Sequence, residues 1–370
     1  MKKIAILAGS VALLVATVLP AVAANNCTNS TTGPLATNYC TITNSSSVSV
    51  NNTNNANISN SVSTLSNSGG NSASYNTLGA AITTGNATLN ATVSNLANVN
   101  TTTVNGGPAA SSNSGVNEIT GPNSDDRVTI TNTQSVAVNN INNVDAVNRI
   151  AATSDSGNNV ANYNTGPATI QTGSSRVGLA LNNHFNDSAT GISAGAGGTG
   201  SNSGLNSTTG PFSTDYVTIT NTAAAAVNNV NNLGLDNTVD VLSRSGANSA
   251  SYNTLGGDIG TGNATGTVGL DNEGNINTTT VQMAMGGFGD GCSQEITGPL
   301  SDNRCKLLDN FAVAVNNPNN SNVTNSDSDV VDSGNNASDY NTGGGSVVAG
   351  LTDLVKSILN HLNDSWTVIQ

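Results

Sequence analysis

The stretch Gly69-Gly-Asn-Ser-Ala-Ser-Tyr-Asn-Thr77 returns, nearly unchanged, as Ser245-Gly-Ala-Asn-Ser-Ala-Ser-Tyr-Asn-Thr254. Working outward from it, the Tyr-Asn-Thr triplet places tyrosines at Tyr75, Tyr163, Tyr252 and Tyr340. Thr-Gly-Pro places glycines at Gly33, Gly121, Gly210 and Gly298, and Asn-Asn pairs begin at Asn51, Asn139, Asn228 and Asn316. All three series step by 88, 89 and 88 residues. Three independent markers in one register establish an internal repeat. The units are 25–112, 113–201, 202–290 and 291–370, within a single repeat domain.

A finer period runs inside the unit. Counting from Thr32 in steps of 22 gives Asn54, Asn76, Asn98, Thr120, Asn142, Asn164, Asn186 and Thr208. One extra residue later the series resumes at Asn231, Asn253, Asn275, Thr297, Asn319, Asn341 and Asn363. Low-complexity bias alone has no such register. The spacing predicts an all-β fold, a β-solenoid of about sixteen coils of 22 residues, each coil holding two short strands. The asparagines of the series then form one structural ladder, each amide bonded to the coil above and below, along a rod of about 75 Å. Val128-Thr-Ile-Thr-Asn-Thr133 and Val217-Thr-Ile-Thr-Asn-Thr222 have the β-branched alternation of strands. The glycine-rich stretches 191–204 and 286–291 predict turn protrusions between units.

Only 8% of the residues are charged and 3% aromatic, so order must come from the repeat and not from an ordinary apolar core. Residues 1–24 have the layout of a cleaved secretory signal: Lys2 and Lys3, an apolar run, then Ala21 and Ala23. Cleavage removes two of nine basic residues and leaves seven against 22 acidic ones, a net charge of −15. That balance excludes nucleic acid and anionic membrane surfaces as partners. No later apolar run approaches the length of a transmembrane helix, so the expected location is extracellular or at the cell surface.

Cys27 and Cys40 stand 13 residues apart, as do Cys292 and Cys305, and both pairs flank Thr-Gly-Pro in the same way. In an exported chain this predicts disulfides Cys27–Cys40 and Cys292–Cys305, stapling the first and last units. At the other end Leu351, Leu354, Val355, Ile358, Leu359, Leu362 and Trp366 follow helical spacing, while Asn360 and Asn363 keep the coil register. A capping helix and a last coil both remain open readings of this segment.

No enzyme, cofactor or metal site is expected. His184 and His361 occupy equivalent repeat positions, which repeat descent explains. Asp125-Asp126 and Asp327-Ser-Asp329 lack the ligand spacing of known calcium loops and read as solvated turn carboxylates. The arginines Arg127, Arg149, Arg176, Arg244 and Arg304 are scattered along the sequence, and no nucleophile is paired with a base. Thr-x-Thr at Thr41, Thr129 and Thr218 comes once per unit, too sparse for an ice-binding array, and Lys306 breaks it in the fourth unit.

The two stretches quoted first resemble the glycine, asparagine and alanine core of curlin repeats, with Asn76 or Asn253 near the place where curlins carry glutamine. Across the units, Ser-Gly-Asn-Asn and Tyr-Asn-Thr-Gly resemble secreted bacterial Asn/Thr-rich β-repeat proteins. The leading expectation is a structural or adhesive surface protein whose polar Asn/Thr-rich face meets glycans or other cell-surface components. The curlin resemblance implies an alternative, a self-assembling fibre subunit whose partner is itself.

Overall fold

The computed structural model describes residues 2–17, 24–105, 112–193, 201–282 and 289–370. Every element among them is a strand, and no helix is long and apolar enough to cross a membrane. Strand β1 (Lys2–Thr17) precedes the repeats. The first unit holds β2 (Asn26–Ser30), β3 (Thr37–Asn67), β4 (Ala80–Thr83) and β5 (Ala87–Asn105). The second holds β6 (Ser114–Glu118), β7 (Asp125–Asp155), β8 (Ala168–Gln171), β9 (Ser175–Phe185) and β10 (Ser188–Ser193). The third holds β11 (Ser203–Thr209), β12 (Thr214–Arg244), β13 (Gly257–Gly260), β14 (Ala264–Gly274) and β15 (Asn277–Gln282). The fourth holds β16 (Gly291–Thr297), β17 (Asp302–Asn316), β18 (Asn319–Asp332), β19 (Gly345–Val348), β20 (Thr352–Leu362) and β21 (Ser365–Ile369).

Equivalent strands of successive units pair in parallel and in register, giving four sheets in which each unit is one layer. Thr37 lies opposite Asp125, Asp125 opposite Thr214, and Thr214 opposite Asp302. The offsets are those of the long repeat, and this corrects the 22-residue coil: among the described residues no strand pairs with a segment 22 residues away. No glycine or proline interrupts β3 or β7, and each stays extended over 31 residues, whereas a 22-residue coil needs two turns within that length. Four layers at about 4.8 Å make a broad thin stack and not a 75 Å rod.

The register moves the extra residue as well. Ser203 already lies opposite Ser114, so the insertion precedes β11, and Thr209, not Thr208, shares a column with Thr120 and Thr297. Thr208 falls in the left-handed column of Thr31, Ile119 and Ile296. Of the glycine-rich protrusions, residues 194–200 and 283–288 lie outside the described residues; the flanking Gly191 to Ser193 are strand. The C-terminal segment is β20 and β21, without a capping helix. Its apolar residues divide between two faces: Leu354, Ile358 and Leu362 continue the core columns of Gly266, Leu270 and Gly274, while Val355 and Leu359 stay more than half exposed.

Within a layer, the long strand runs back against two others. Cys27 of β2 meets Cys40 near the start of β3, and Asn95 of β5 meets Asn60 near its end. Alternate residues of the long strand point inward and the interior is divided into compartments. Along β7 the order is Val128 and Ile130, then Asn132, Val136 and Val138, then Asn140 and Asn142, Val144 and Ala146, then Asn148, then Ile150 and Ala152. Each aliphatic pair joins its counterparts in other layers as a separate cluster. Amides occupy the columns between clusters, so a chain with few large apolar residues still fills its interior.

Glycine is required where turns stack at backbone contact. A Cβ on Gly121, Gly210 or Gly298 would collide with the backbone of the Gly-Pro step in the layer before, which accounts for the glycine of Thr-Gly-Pro.

Candidate functional site

Buried amides dominate the chemistry of the interior. Asn60, Asn148, Asn237 and Asn325 form one ladder with donor–acceptor distances of 2.7, 2.8 and 2.8 Å. Facing it, Asn95, Asn183, Asn272 and Asn360 form a second, at 2.7 Å throughout. The two are cross-linked: Asn60 donates to Asn95 at 2.8 Å, and Asn95 donates to Asn148 at 3.0 Å. Asn140 and Asn229 are bonded in the same way to the facing hydroxyls of Thr190 and Thr279.

The asparagines read from the sequence as one ladder lie in three separate columns. Asn54, Asn142, Asn231 and Asn319 stack inside the long strands. Asn76, Asn164 and Asn253 stack in the Tyr-Asn-Thr turn, where the amide of Asn341 accepts the Asn253 backbone N–H. Asn98, Asn186, Asn275 and Asn363 stack at a kink where φ is +55° to +66°. Here two consecutive residues, Ala97 and Asn98, both point inward, so the column reverses the inward phase of the strand. Asparagine tolerates that backbone, and its side chain spans the layer to the carbonyls of Asn143, Asn232 and Asn320.

Both predicted disulfides are present, with Cα separations of 5.7 and 6.1 Å. The middle layers carry Gly115 opposite Val128 and Gly204 opposite Val217, and a Cβ on either glycine would strike the valine. The space one valine fills in the middle is filled by a cystine at each end. Two disulfides fit an oxidising compartment.

Two surface columns carry the six tyrosines. Tyr75, Tyr163, Tyr252 and Tyr340 are stacked with ring centroids 5.1, 4.9 and 4.8 Å apart and planes within 8°. The inner rings are 48% and 46% exposed and the outer ones 78% and 77%. All four tyrosines have φ near +60°, which aims the rings out of the turn. Ser72, Ser74, Asn76 and Asn162 line an open groove beside Tyr75 and Tyr163. The second column was not legible as a site, because its members alternate: Tyr39, Arg127, Tyr216 and Arg304. The Arg127 guanidinium lies 5.4 Å from the Tyr39 ring and 5.5 Å from Tyr216, with Arg304 5.3 Å from Tyr216. Asp125 and Asp302 bind the arginines and accept from the tyrosine hydroxyls. These contacts hold Asp302 below and both arginines above their ordinary pKa.

The acidic residues read as solvated turn groups require correction. Asp126 is fully buried and accepts from Asn38 at 2.6 Å and Ser124 at 2.7 Å. Asp215 stands directly on it, equally buried, accepting from Thr209 and Ser213 at 2.9 Å while its Oδ1 has no donor. Burial, with Asp126 as neighbour, pushes the Asp215 carboxyl up to about 6. A shared proton would supply the missing donor. Asp327 and Asp329 belong to β18, side chains 6% and 1% exposed, 2.7 and 2.9 Å from the Lys356 ammonium. Burial raises the Asp329 pKa, and bonds to Asp327 and Asp329 raise that of Lys356.

His184 and His361 bracket Glu273 in one column, His184 bonding Glu273 through Nδ1 at 2.9 Å and Asp187 through Nε2. His361 bonds Asp364 at 2.6 Å, which raises its pKa. Burial raises that of Asp187. Comparison with protein-family models, with curated proteins and with solved structures finds no match.

Proposed function

We propose that this chain is a secreted, non-catalytic structural or adhesive protein of the cell surface or extracellular matrix, a flattened solenoid that acts by presenting a rigid face to a glycan. The observation that carries this reading is the exposed stack of Tyr75, Tyr163, Tyr252 and Tyr340. Sugars are held by an apolar ring wall beside fixed hydroxyl and amide partners, and the adjoining groove offers Ser72, Ser74, Asn76 and Asn162. The amide ladders beneath lock the backbone, so little order is lost on binding. The test is binding of the exported protein to a panel of surface polysaccharides, with Tyr163→Ser/Tyr252→Ser as the control. At least a roughly tenfold loss of affinity with an unchanged circular dichroism spectrum is expected. Equal binding by the variant refutes the reading.

One observation favours the second reading, a curlin-like fibre subunit. The alternating column ends on Tyr39 in the first layer and Arg304 in the fourth, both without an aromatic or guanidinium neighbour on the outer side among the described residues, so a second copy placed head to tail continues the alternation.

A further inference from the structure

The two ends of the stack differ in what they offer a neighbour. Among the described residues, the fourth layer leaves the outer edges of its strands unpaired, as the first layer does for β2, β3 and β4. Free edges of stacked parallel strands are templates for another layer of the same kind. Most columns would continue across such a junction. Arg304 would meet Tyr39, Tyr340 would meet Tyr75, and Asn325 would meet Asn60.

Three core columns break this continuity. One reads Val62, Ile150, Val239 and then Asp327. The next reads Thr64, Ala152, Val241 and then Asp329. On the facing strands the column reads Ala91, Leu179, Val268 and then Lys356. In each the last layer puts a charge where the middle layers are aliphatic and fully buried, and the three charges meet as one cluster.

We propose that Asp327, Asp329 and Lys356 form a stop that keeps a second copy of this chain from adding head to tail onto the fourth layer. The Lys356 side chain is still 36% exposed in the free end and keeps part of its hydration. Adding a layer would remove that water and press the cluster against Val62, Thr64 and Ala91 of the incoming copy, none of which offers it a charge. Desolvating an ion cluster against aliphatic groups carries a penalty of several kcal/mol per ion that no new partner offsets. Inward-pointing charge at an open edge is a known defence against this association. The stop is independent of what the tyrosine stack binds.

β1 lies on the free edge of β5, with Lys2 opposite Leu89, so the experiment uses the chain exported by an expressing bacterium, its N-terminus read by mass spectrometry. Wild type is compared with Asp327→Val/Asp329→Val/Lys356→Val, which restores the residue type of the third layer. A second, neutral but milder variant, Asp327→Asn/Asp329→Thr/Lys356→Met, guards against misfolding of the first. Analytical ultracentrifugation and electron microscopy are expected to show wild type as discrete particles. The variants should form head-to-tail filaments, with onset at least roughly tenfold lower in concentration. Two results overturn the proposal: wild-type filaments forming as readily as those of the variants, or variants that keep the wild-type circular dichroism spectrum and remain monomeric.

Discussion

Asn148 shows how a short polar side chain carries packing here. Its amide accepts from Asn60 and Asn95 and donates to Asn183 and Asn237, so all of its polar capacity is spent inside the stack. Truncation removes four bonds at once, although each partner keeps a second one within the paired ladders. Asn148→Ala is expected to cost roughly 3 kcal/mol in denaturant unfolding, and Asn143→Ala, in an exposed ladder, under about 1 kcal/mol. The Asp126 and Asp215 pair adds a pH dependence of known sign. Asp215 holds its proton up to about 6 in the fold against 3.8 unfolded. Its contribution is therefore fully present below pH 3.8 and is lost as pH rises through 6, a change on the order of 2–3 kcal/mol. Asn38 and Asn303 occupy the same column, so Asp215→Asn is already a solution the stack uses. Melting of that variant should be flatter between pH 4 and 6 and higher at neutral pH than wild type. A wild-type slope in the variant would exclude the pair as its source.

Among the elements, the paired ends of β2 and β3 give the sharpest test of how one site accepts two chemistries. Replacing Cys27 and Cys40 by serine leaves two hydroxyls in an aliphatic cluster; replacing them by glycine and valine copies the second layer. Both lose the crosslink, worth about 2 to 3 kcal/mol for so short a loop. Cys27→Gly/Cys40→Val should lose little more, whereas the double serine variant should lose at least 1 kcal/mol beyond it. The disulfides were readable because spacing and repeat position agreed. The C-terminal strands were not, because Leu354, Ile358 and Leu362 fit both helical spacing and strand alternation. Only pairing with β14 separates the two.

For the molecule as a whole, the all-β class, the long repeat and the importance of asparagine were legible in the sequence, and the direction of stacking was not. Both periods are real. Thr32, Asn54, Asn76 and Asn98 recur every 22 residues around one layer, in a turn, a strand, a second turn and a kink; only the 88- and 89-residue steps climb the stack. One-dimensional spacing cannot tell a step along the layer from a step across it. The Tyr39, Arg127, Tyr216 and Arg304 column was hidden for a related reason, since alternation across layers looks like variation along the chain. Across the stack, burial raises Asp187, Asp215 and Asp329, and Asp364 raises His361. These four shifts act in one direction, since each stabilising term is lost as pH rises through the folded pKa, and only Asp302 opposes them. The melting temperature should be higher in mild acid than at neutral pH; the reverse order would contradict these assignments.

The central claim is that the residues 88 or 89 apart are the ones that touch, and dipolar electron paramagnetic resonance between spin labels at Ser45 and Asn310 tests it directly. Both positions are exposed and share an outward column, three layers apart. The layered stack predicts a separation of about 15 Å, broadened by the label arms. A stack of 22-residue coils puts the same positions twelve coils apart, about 58 Å, and that result would contradict the account.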